Sequence, residues 1–408
     1  MNHLLIISEL YYPEQNATGY FLTGIAEGLA ASGRDVSVLC AQPTYNQRGL
    51  KAPTTELRNG VAIRRIRSMA CNPRRLTGKA VNALSISAGL FLAGLRRIKR
   101  GDVVLIVTNP PMAPFLLRLA AWLKRAKFCL LVHDIYPDVL VPLKLMRAES
   151  RLYHLLNWIN TRLYRSCDQV IVLGRDMERR VRSKFKGANP PPITIIPNWG
   201  EVDSITPKQR GESRLAHTLR LGEASFVALY SGNHGKTHNL LEWVDIAVEL
   251  RDQGIQFLFM GDGAGKRALV ERSQARQANN MTFLDFVDRS ELADSLNAGD
   301  IGLISFIPGM EGISVPSRLY NFLAAGKPVL AVCGANSELA AVILEANAGW
   351  VVAPGNPTAI AQLLVQISGD PAERTRRGAN ARRTAEETYS RTAVIGSYHK
   401  VLSHIDHE

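Results

Sequence analysis

Most of the residues with chemistry to offer stand in short polar or glycine-rich loops, each following an apolar run. The longest such stretch is Glu311-Gly-Ile-Ser-Val-Pro-Ser-Arg318, leading into the helical spacing Leu319, Phe322, Leu323. Pro316 suits the first turn of that helix, and the Ser317 hydroxyl is positioned to accept from its free amides. Small residues ahead of a helix N-terminus form a natural seat for an anion such as a diphosphate. An ordinary loop-helix-strand unit explains the helix and the strand equally well, but not the chemistry of the loop. Two further loops, Gly232-Asn233-His-Gly-Lys236-Thr237 and Gly261-Asp262-Gly263, follow strand-like runs. Neither is a nucleotide-triphosphate loop of the Gly-x4-Gly-Lys-Ser/Thr kind. Position 230 is Tyr, and Gly265-Lys266 is followed by Arg267. Together with residues 311–318 they are expected to meet around one ligand at the edge of a sheet.

The first half offers a polar loop, Pro13 to Gly19, ahead of a helix, and the pair His133-Asp134 directly after an apolar run. The loop is not Gly-x-Gly-x-x-Gly, so nicotinamide or flavin binding has no support. Ligands of parallel sheets gather at the carboxyl ends of strands, which places His133 and Asp134 to meet substrate; a structural role for the histidine is an equal alternative.

These loops need elements to hold them. Runs at 4–7, 36–39, 103–107, 128–132, 169–173 and 193–196 alternate with helical stretches, the first helix being expected from about Tyr20 to Ser32. The pattern predicts an α/β chain with parallel sheets covered by helices on both sides. A second series begins after Pro197-Asn198-Trp199-Gly200, with runs at 226–230, 257–260, 282–284, 301–304 and 329–332. Since 408 residues exceed one core, the expected organisation is two doubly wound domains, 1–200 and 201–380, and a helical segment 381–408 that crosses back to the first.

Charge is unevenly distributed. Residues 1–200 hold 29 Lys and Arg against 12 Asp and Glu, a balance of +17, whereas residues 201–408 hold 20 against 24, a balance of −4. A basic half implies a polyanionic partner. No nucleic-acid recognition motif is present, which leaves an anionic membrane surface as the favoured partner. Arg74, Arg75 and Lys79 precede the apolar stretch Ala83–Leu95, which Arg96, Arg97, Lys99 and Arg100 close, and Met112 to Lys127 repeats the apolar-then-basic pattern. A stretch this short cannot span a bilayer but suits its interface, the alternative being a core helix with basic ends. The five cysteines are scattered with no Cys-x-x-Cys pair, so neither a metal site nor a disulfide framework is indicated. The apolar start, Leu4–Ile7, is too short for a signal peptide and reads as a first strand, in keeping with a cytoplasmic protein peripheral on the inner face of the cell membrane.

Taken in order, Tyr12-Pro13 to Gly19, Pro197-Asn198-Trp199, Tyr230-Ser-Gly-Asn233, Gly261-Asp-Gly263 and Val315-Pro-Ser-Arg-Leu-Tyr-Asn-Phe-Leu-Ala-Ala-Gly-Lys-Pro328 resemble the GT-B glycosyltransferases of family 4. Within it the chain is similar to bacterial capsule, exopolysaccharide and colanic acid enzymes, fucosyltransferases among them. The family's glutamate pair spaced Glu-x7-Glu is absent, position 321 being Asn. The resemblance implies two Rossmann-like domains facing across a cleft and a metal-independent, retaining transfer from a nucleotide-diphosphate sugar, with no further cofactor. It implies a diphosphate held by Gly232, Asn233 and Lys236, with the Gly261-Asp262-Gly263 loop beside them and Gly19 closing from the first domain. Glu311 and the amides of Gly312, Ile313 and Ser314, ahead of Pro316 and Ser317, would hold sugar hydroxyls and phosphate; Arg318 would add charge and Asn321 would reach the ribose. His133 or Asp134 would contact the transferred sugar. A lipid-linked saccharide is the implied acceptor. A nucleotide-sugar 2-epimerase on the same scaffold and an inactive nucleotide-binding assembly module are the rival readings.

Overall fold

The computed structural model describes residues 1–43, 51–67, 69, 71, 76–222 and 225–407. Its contacts divide into two compact units. One comprises Met1–Val141, Met146–Pro197 and Thr392–Glu408, the other Pro142–Leu145 and Asn198–Arg391. The breaks therefore fall at Pro197 and Arg391, where the sequence reading set them at 200 and 380.

Unit 1 begins with β1 (Leu4–Ser8), α1 (Ala17–Ala31), β2 (Val36–Ala41), β3 (Thr55–Arg58) and β4 (Val61–Ile66). It continues through α2 (Leu76–Arg97), β5 (Val103–Val107), α3 (Ala113–Lys124), β6 (Lys127–Val132), α4 (Arg151–Arg165), β7 (Gln169–Val172), α5 (Arg175–Ser183) and β8 (Ile193–Ile195). The sheet order is β3-β4-β2-β1-β5-β6-β7-β8, parallel except for β3, which pairs antiparallel with β4 at the edge. The central strands are short unbroken apolar runs because helices cover both faces; Leu4, Ile6, Ile7, Val103 and Leu105 are wholly buried. The sequence reading missed the β3–β4 hairpin, which turns on Asn59-Gly60, both at positive φ. Helix α1 starts at Ala17, three residues earlier than expected, because the Asn16 side chain accepts from the Gly19 amide and caps it there.

Two of the sequence-predicted surface elements fall in this unit. Helix α2 buries Ile86, Leu90 and Gly94 on one face and exposes Val81, Leu84 and Leu92 on another. It is thus a core helix on one side and apolar to solvent on the other. Arg74 and Arg75 lie outside the described residues, as does the side chain of Lys79. Helix α3 exposes Leu119, Trp122 and Leu123 beside Lys124 and Arg125. Helix α4, not singled out from sequence, exposes Leu152, Leu155 and Trp158, and the Arg162 guanidinium lies 4.2 Å from the Trp158 ring centre. Among the described residues, no helix is long and apolar enough to cross a membrane.

Unit 2 contains α6 (Arg214–Thr218), β9 (Phe226–Ser231), α7 (Glu242–Glu249), β10 (Ile255–Met260), α8 (Lys266–Ala275), β11 (Met281–Leu284), α9 (Leu292–Asn297) and β12 (Ile301–Ser305). It closes with α10 (Arg318–Ala324), β13 (Val329–Val332), α11 (Glu338–Glu345), β14 (Gly349–Val352), α12 (Pro357–Gly369) and α13 (Pro371–Glu387). Its six strands are all parallel in the order β11-β10-β9-β12-β13-β14. Trp243, Phe257, Phe259 and Tyr230 fill one side of the sheet. Helix α10 packs on β12 at Gly302, where a Cβ would stand 2.5 Å from the Phe322 ring. The last helix, α14 (Arg391–His407), returns to unit 1. There Ile395 fills the space a Cβ on Gly28 would take, and Asp406 pairs with the buried Arg34 at 2.8 Å.

Candidate active site

In unit 2 the polar loops stand at the carboxyl ends of the strands, where a parallel sheet presents its ligand site. The loop after β9 and the loop after β10 are joined by backbone hydrogen bonds. Gly232 N–H donates to Met260 O (2.9 Å), His234 N–H to Asp262 O (2.9 Å) and Gly265 N–H to His234 O (2.8 Å). Glycine is needed for this approach: a Cβ on Gly261 would lie 2.0 Å from Gly232 O, and one on Gly263 2.4 Å from Asn233 Oδ1. Gly232, Gly261 and Gly263 all have φ near +133° to +154°, which other residues rarely adopt.

Arg318, the first residue of α10, ties the third loop to these two. Its guanidinium carbon lies 4.3 Å from the Tyr230 ring centre, and Nη2 donates to Asn233 O at 3.2 Å. The Tyr230 hydroxyl donates to the same carbonyl (2.7 Å), and the guanidinium lies within 3.3 Å of where a Gly232 Cβ would be. Nη1 is shielded from water and has no hydrogen-bond partner among the described residues. The Glu311 carboxylate lies in the space of a missing Cβ on Gly334, just past β13. Asn233, Lys236 and Asp262 are exposed.

Several expectations for the 311–321 stretch need correcting. Ser317 occupies the cap position of α10 but in helical conformation, and its side chain makes no cap bond. The Ile313 side chain is wholly buried and its amide donates to Met310 O (3.1 Å), so that amide is spent on the turn rather than free for a phosphate. Pro316 is buried, its carbonyl accepting from Leu319 N–H ahead of the helix. Ser314 and Asn321 are half-buried, and Gly312 turns the loop at φ 68°.

In unit 1, His133 and Asp134 follow the carboxyl end of β6. Their amides donate to Thr108 Oγ1 (3.2 and 3.4 Å), and His133 Nδ1 lies 3.3 Å from Thr18 Oγ1 in the first turn of α1. The early loop and the His-Asp pair therefore share one edge of this sheet. His133 Nε2 is shielded and unpartnered among the described residues. Burial pushes the imidazole down to about 4 and the Asp134 carboxyl up to about 6, since each loses water's stabilisation of its charged form. The Gly19 amide is spent on the Asn16 cap, and a Cβ there would meet Glu14 O at 3.0 Å. What Gly19 supplies here is close packing of the loop on the helix.

The sequence reading also missed groups around Arg318: Tyr230 as its stacking surface, and His238, whose Nε2 lies 3.2 Å from Arg318 Nη2. Burial and the neighbouring guanidinium hold the His238 imidazole well below its ordinary range. His234, stacked on Tyr230 (5.3 Å), is likewise held down to about 4 by burial and by Lys266 and Arg318.

Comparison with known proteins fits this arrangement. The sequence profile of the glycosyl transferase 4-like domain matches residues 17–199, and that of the glycosyl transferases group 1 matches residues 215–384. The chain is 28% identical to the glycosyltransferase WbjE of Pseudomonas aeruginosa over 378 residues, covering 90% of each. It is 26% identical to the colanic acid biosynthesis glycosyl transferase WcaI of Escherichia coli K12, covering 82% of this chain and 84% of WcaI. Among solved structures, sucrose-phosphate synthase from Thermosynechococcus elongatus superposes with a TM-score of 0.77 at 17% identity over 99% of both chains. Anabaena HepE, in complex with UDP and glucose, gives 0.72 at 14% identity over 99% of this chain and 100% of its own. Two parallel-sheet α/β units, two successive family profiles and the loops at the strand ends lead to one conclusion: the chain belongs to the family 4 glycosyltransferases of the GT-B fold, its second half a group 1 glycosyl transferase domain.

Proposed function

We propose that the protein is a retaining glycosyltransferase that moves a sugar from a nucleotide-diphosphate donor to a lipid-linked saccharide in cell-surface polysaccharide biosynthesis. The observation that carries the donor reading is Arg318: a cation stacked on Tyr230, braced by Asn233 O, with one shielded nitrogen unpartnered among the described residues, beside Gly232. An unmatched buried guanidinium nitrogen suits an anion with several oxygens. HepE, with its bound UDP and glucose, supports the same ligand class. WcaI, named for colanic acid biosynthesis, supports polysaccharide assembly as the setting.

In the reaction, the bond from the anomeric carbon to the diphosphate oxygen breaks and its electron pair leaves with the phosphate. The acceptor oxygen bonds to that carbon on the same face, and its proton passes to the departing phosphate oxygen. This route demands stabilisation of the leaving group more than a carboxylate pair, a task suited to Arg318, to the exposed Lys236 and to the amide of Asn233. No resident metal or other cofactor is required by it. Glu311 and Asn321 would hold hydroxyls of the donor. Asp134, ionised above about pH 6, and the neutral His133 would contact the transferred sugar or the acceptor.

The acceptor reading rests on the surface of unit 1. Exposed Trp122 and Trp158, flanked by Lys124, Arg125 and Arg162, suit a boundary between anionic headgroups and acyl chains, and the exposed Val81, Leu84 and Leu92 of α2 add apolar area. The protein would then act at the cytoplasmic face of the membrane.

Titration with GDP, UDP and dTDP tests the donor site directly. One of the three should saturate the protein at micromolar concentration and raise its melting temperature by mass action. Failure of all three would refute the reading. Donor consumed without any acceptor would instead indicate an epimerase.

A further inference from the structure

Behind Arg318 lies a chain of side chains that the donor reading does not use. Trp243 Nε1–H donates to Ser305 Oγ at 3.1 Å. The Ser305 hydroxyl donates its own proton to the carbonyl of His238. Returning from the same strand end, Ser305 O faces His238 Nδ1 at 3.2 Å, and His238 Nε2 faces Arg318 Nη2 at 3.2 Å.

Counting protons fixes the ring. A carbonyl oxygen can only accept, so Nδ1 carries the hydrogen, and the Nε2 lone pair is left to accept from the guanidinium. The two hydrogens of Nη2 then have two acceptors, Asn233 O and His238 Nε2. The ring cannot readily turn away. It is 9% exposed, stacked on Phe306 at 5.3 Å and set edgewise against Tyr230 at 6.3 Å. A second N–H proton on the ring would set a like charge against the guanidinium, which burial and Arg318 itself oppose.

We propose that His238 is a positioning residue of the donor site: a neutral imidazole, locked in one tautomer by Ser305, that fixes the Arg318 guanidinium over Tyr230 so that Nη1 is presented to the diphosphate of a nucleotide sugar. The proposal rests on the reading that Arg318 meets that diphosphate. It makes the histidine neither acid nor base in the transfer, and it explains how an arginine with rotatable links is held in a single pose.

The test measures the dissociation constant of whichever of GDP, UDP and dTDP binds tightest, together with kcat and KM for its sugar, in four single variants and one double variant. His238→Gln keeps an acceptor that can reach the guanidinium; His238→Leu removes it; His238→Asn keeps an amide too short to reach. The Asn variant serves if the Leu variant does not fold, as judged by circular dichroism. The Leu and Asn variants are expected to weaken binding about tenfold and the Gln variant by less than about threefold, and Arg318→Met to weaken it about thirtyfold. Adding His238→Leu to Arg318→Met should cost less than about twofold more, because the histidine acts only through the arginine. Equal losses in the Gln and Leu variants, or full additivity in the double variant, would overturn the positioning role while leaving the donor site standing. Wild-type affinity in Arg318→Met would remove the donor-site reading and this proposal with it.

Discussion

Asp134→Asn should stabilise unit 1 at neutral pH while damaging catalysis. Burial raises the Asp134 carboxyl from 3.8 to about 6, so the folded protein binds that proton more tightly than the unfolded chain does. Stability from this group is fully present below pH 3.8 and is lost as pH rises to about 6, after which the cost is constant. At about 1.4 kcal/mol per pH unit, the cost of keeping it ionised at pH 7.5 is about 3 kcal/mol. His133 works in the opposite direction: burial lowers it from 6.5 to about 4, so its contribution is complete above pH 6.5 and is lost as pH falls towards 4. The two slopes largely cancel between pH 4 and 6 in the native protein. The Asn variant removes one of them and should show stability rising with pH across that window, exceeding the native protein by up to about 3 kcal/mol at pH 7.5. Urea unfolding at pH 4.5, 5.5, 6.5 and 7.5 measures this in the transition that carries unit 1. A variant less stable than the native protein at pH 7.5, or one whose difference does not change with pH, would refute the reasoning.

Other perturbations have equally definite outcomes. Asp406→Ala leaves Arg34, whose side chain is wholly buried, without its partner, and should destabilise unit 1 by about 3–5 kcal/mol in urea unfolding. A milder loss would mean that α14 docks mainly through Ile395 and its apolar neighbours. Gly261→Ala sets a Cβ against Gly232 O at a φ of 133°, so the two loops must part. Nucleoside diphosphate affinity should fall at least about tenfold in a titration while unit 1 melts unchanged. In flotation with vesicles containing phosphatidylglycerol, the native protein should rise with the lipid, and Trp122→Ser combined with Trp158→Ser should stay behind. Equal flotation on neutral vesicles would contradict the anionic-surface reading.

The alternation of apolar runs was enough to read six strands of the first sheet and five of the second, because buried parallel strands need no polar face: β5 and β13 begin and end where their apolar runs do. Elements without that signature were missed. Strand β4 alternates buried Val61 and Ile63 with exposed Ala62 and Arg64, its partner β3 is an edge strand with no buried residue, and β14 is buried only at Gly349. The Asn59-Gly60 turn between them was the available clue. Glycines and Arg318 in the unit 2 loops were legible by type and position, since close backbone approach and charge are properties of a residue. His238 was not legible, because its role depends on Ser305 and Arg318, 67 and 80 residues away along the chain. The Ile313 amide was misjudged for a related reason: a loop ahead of a helix signals a backbone that can approach a ligand, but not whether a local turn already uses a given N–H.

The central claim is that the unit 2 loops stabilise a departing nucleoside diphosphate while a sugar passes to an acceptor with its configuration kept. The most direct test follows the anomeric proton by NMR while the protein, the nucleotide sugar whose diphosphate it binds tightest and a lipid-linked saccharide react. The account predicts acceptor-dependent release of nucleoside diphosphate, a new glycoside with the donor's anomeric configuration, and loss of both in Arg318→Met. A product of inverted configuration, or undiminished transfer by the Arg318 variant, would contradict it.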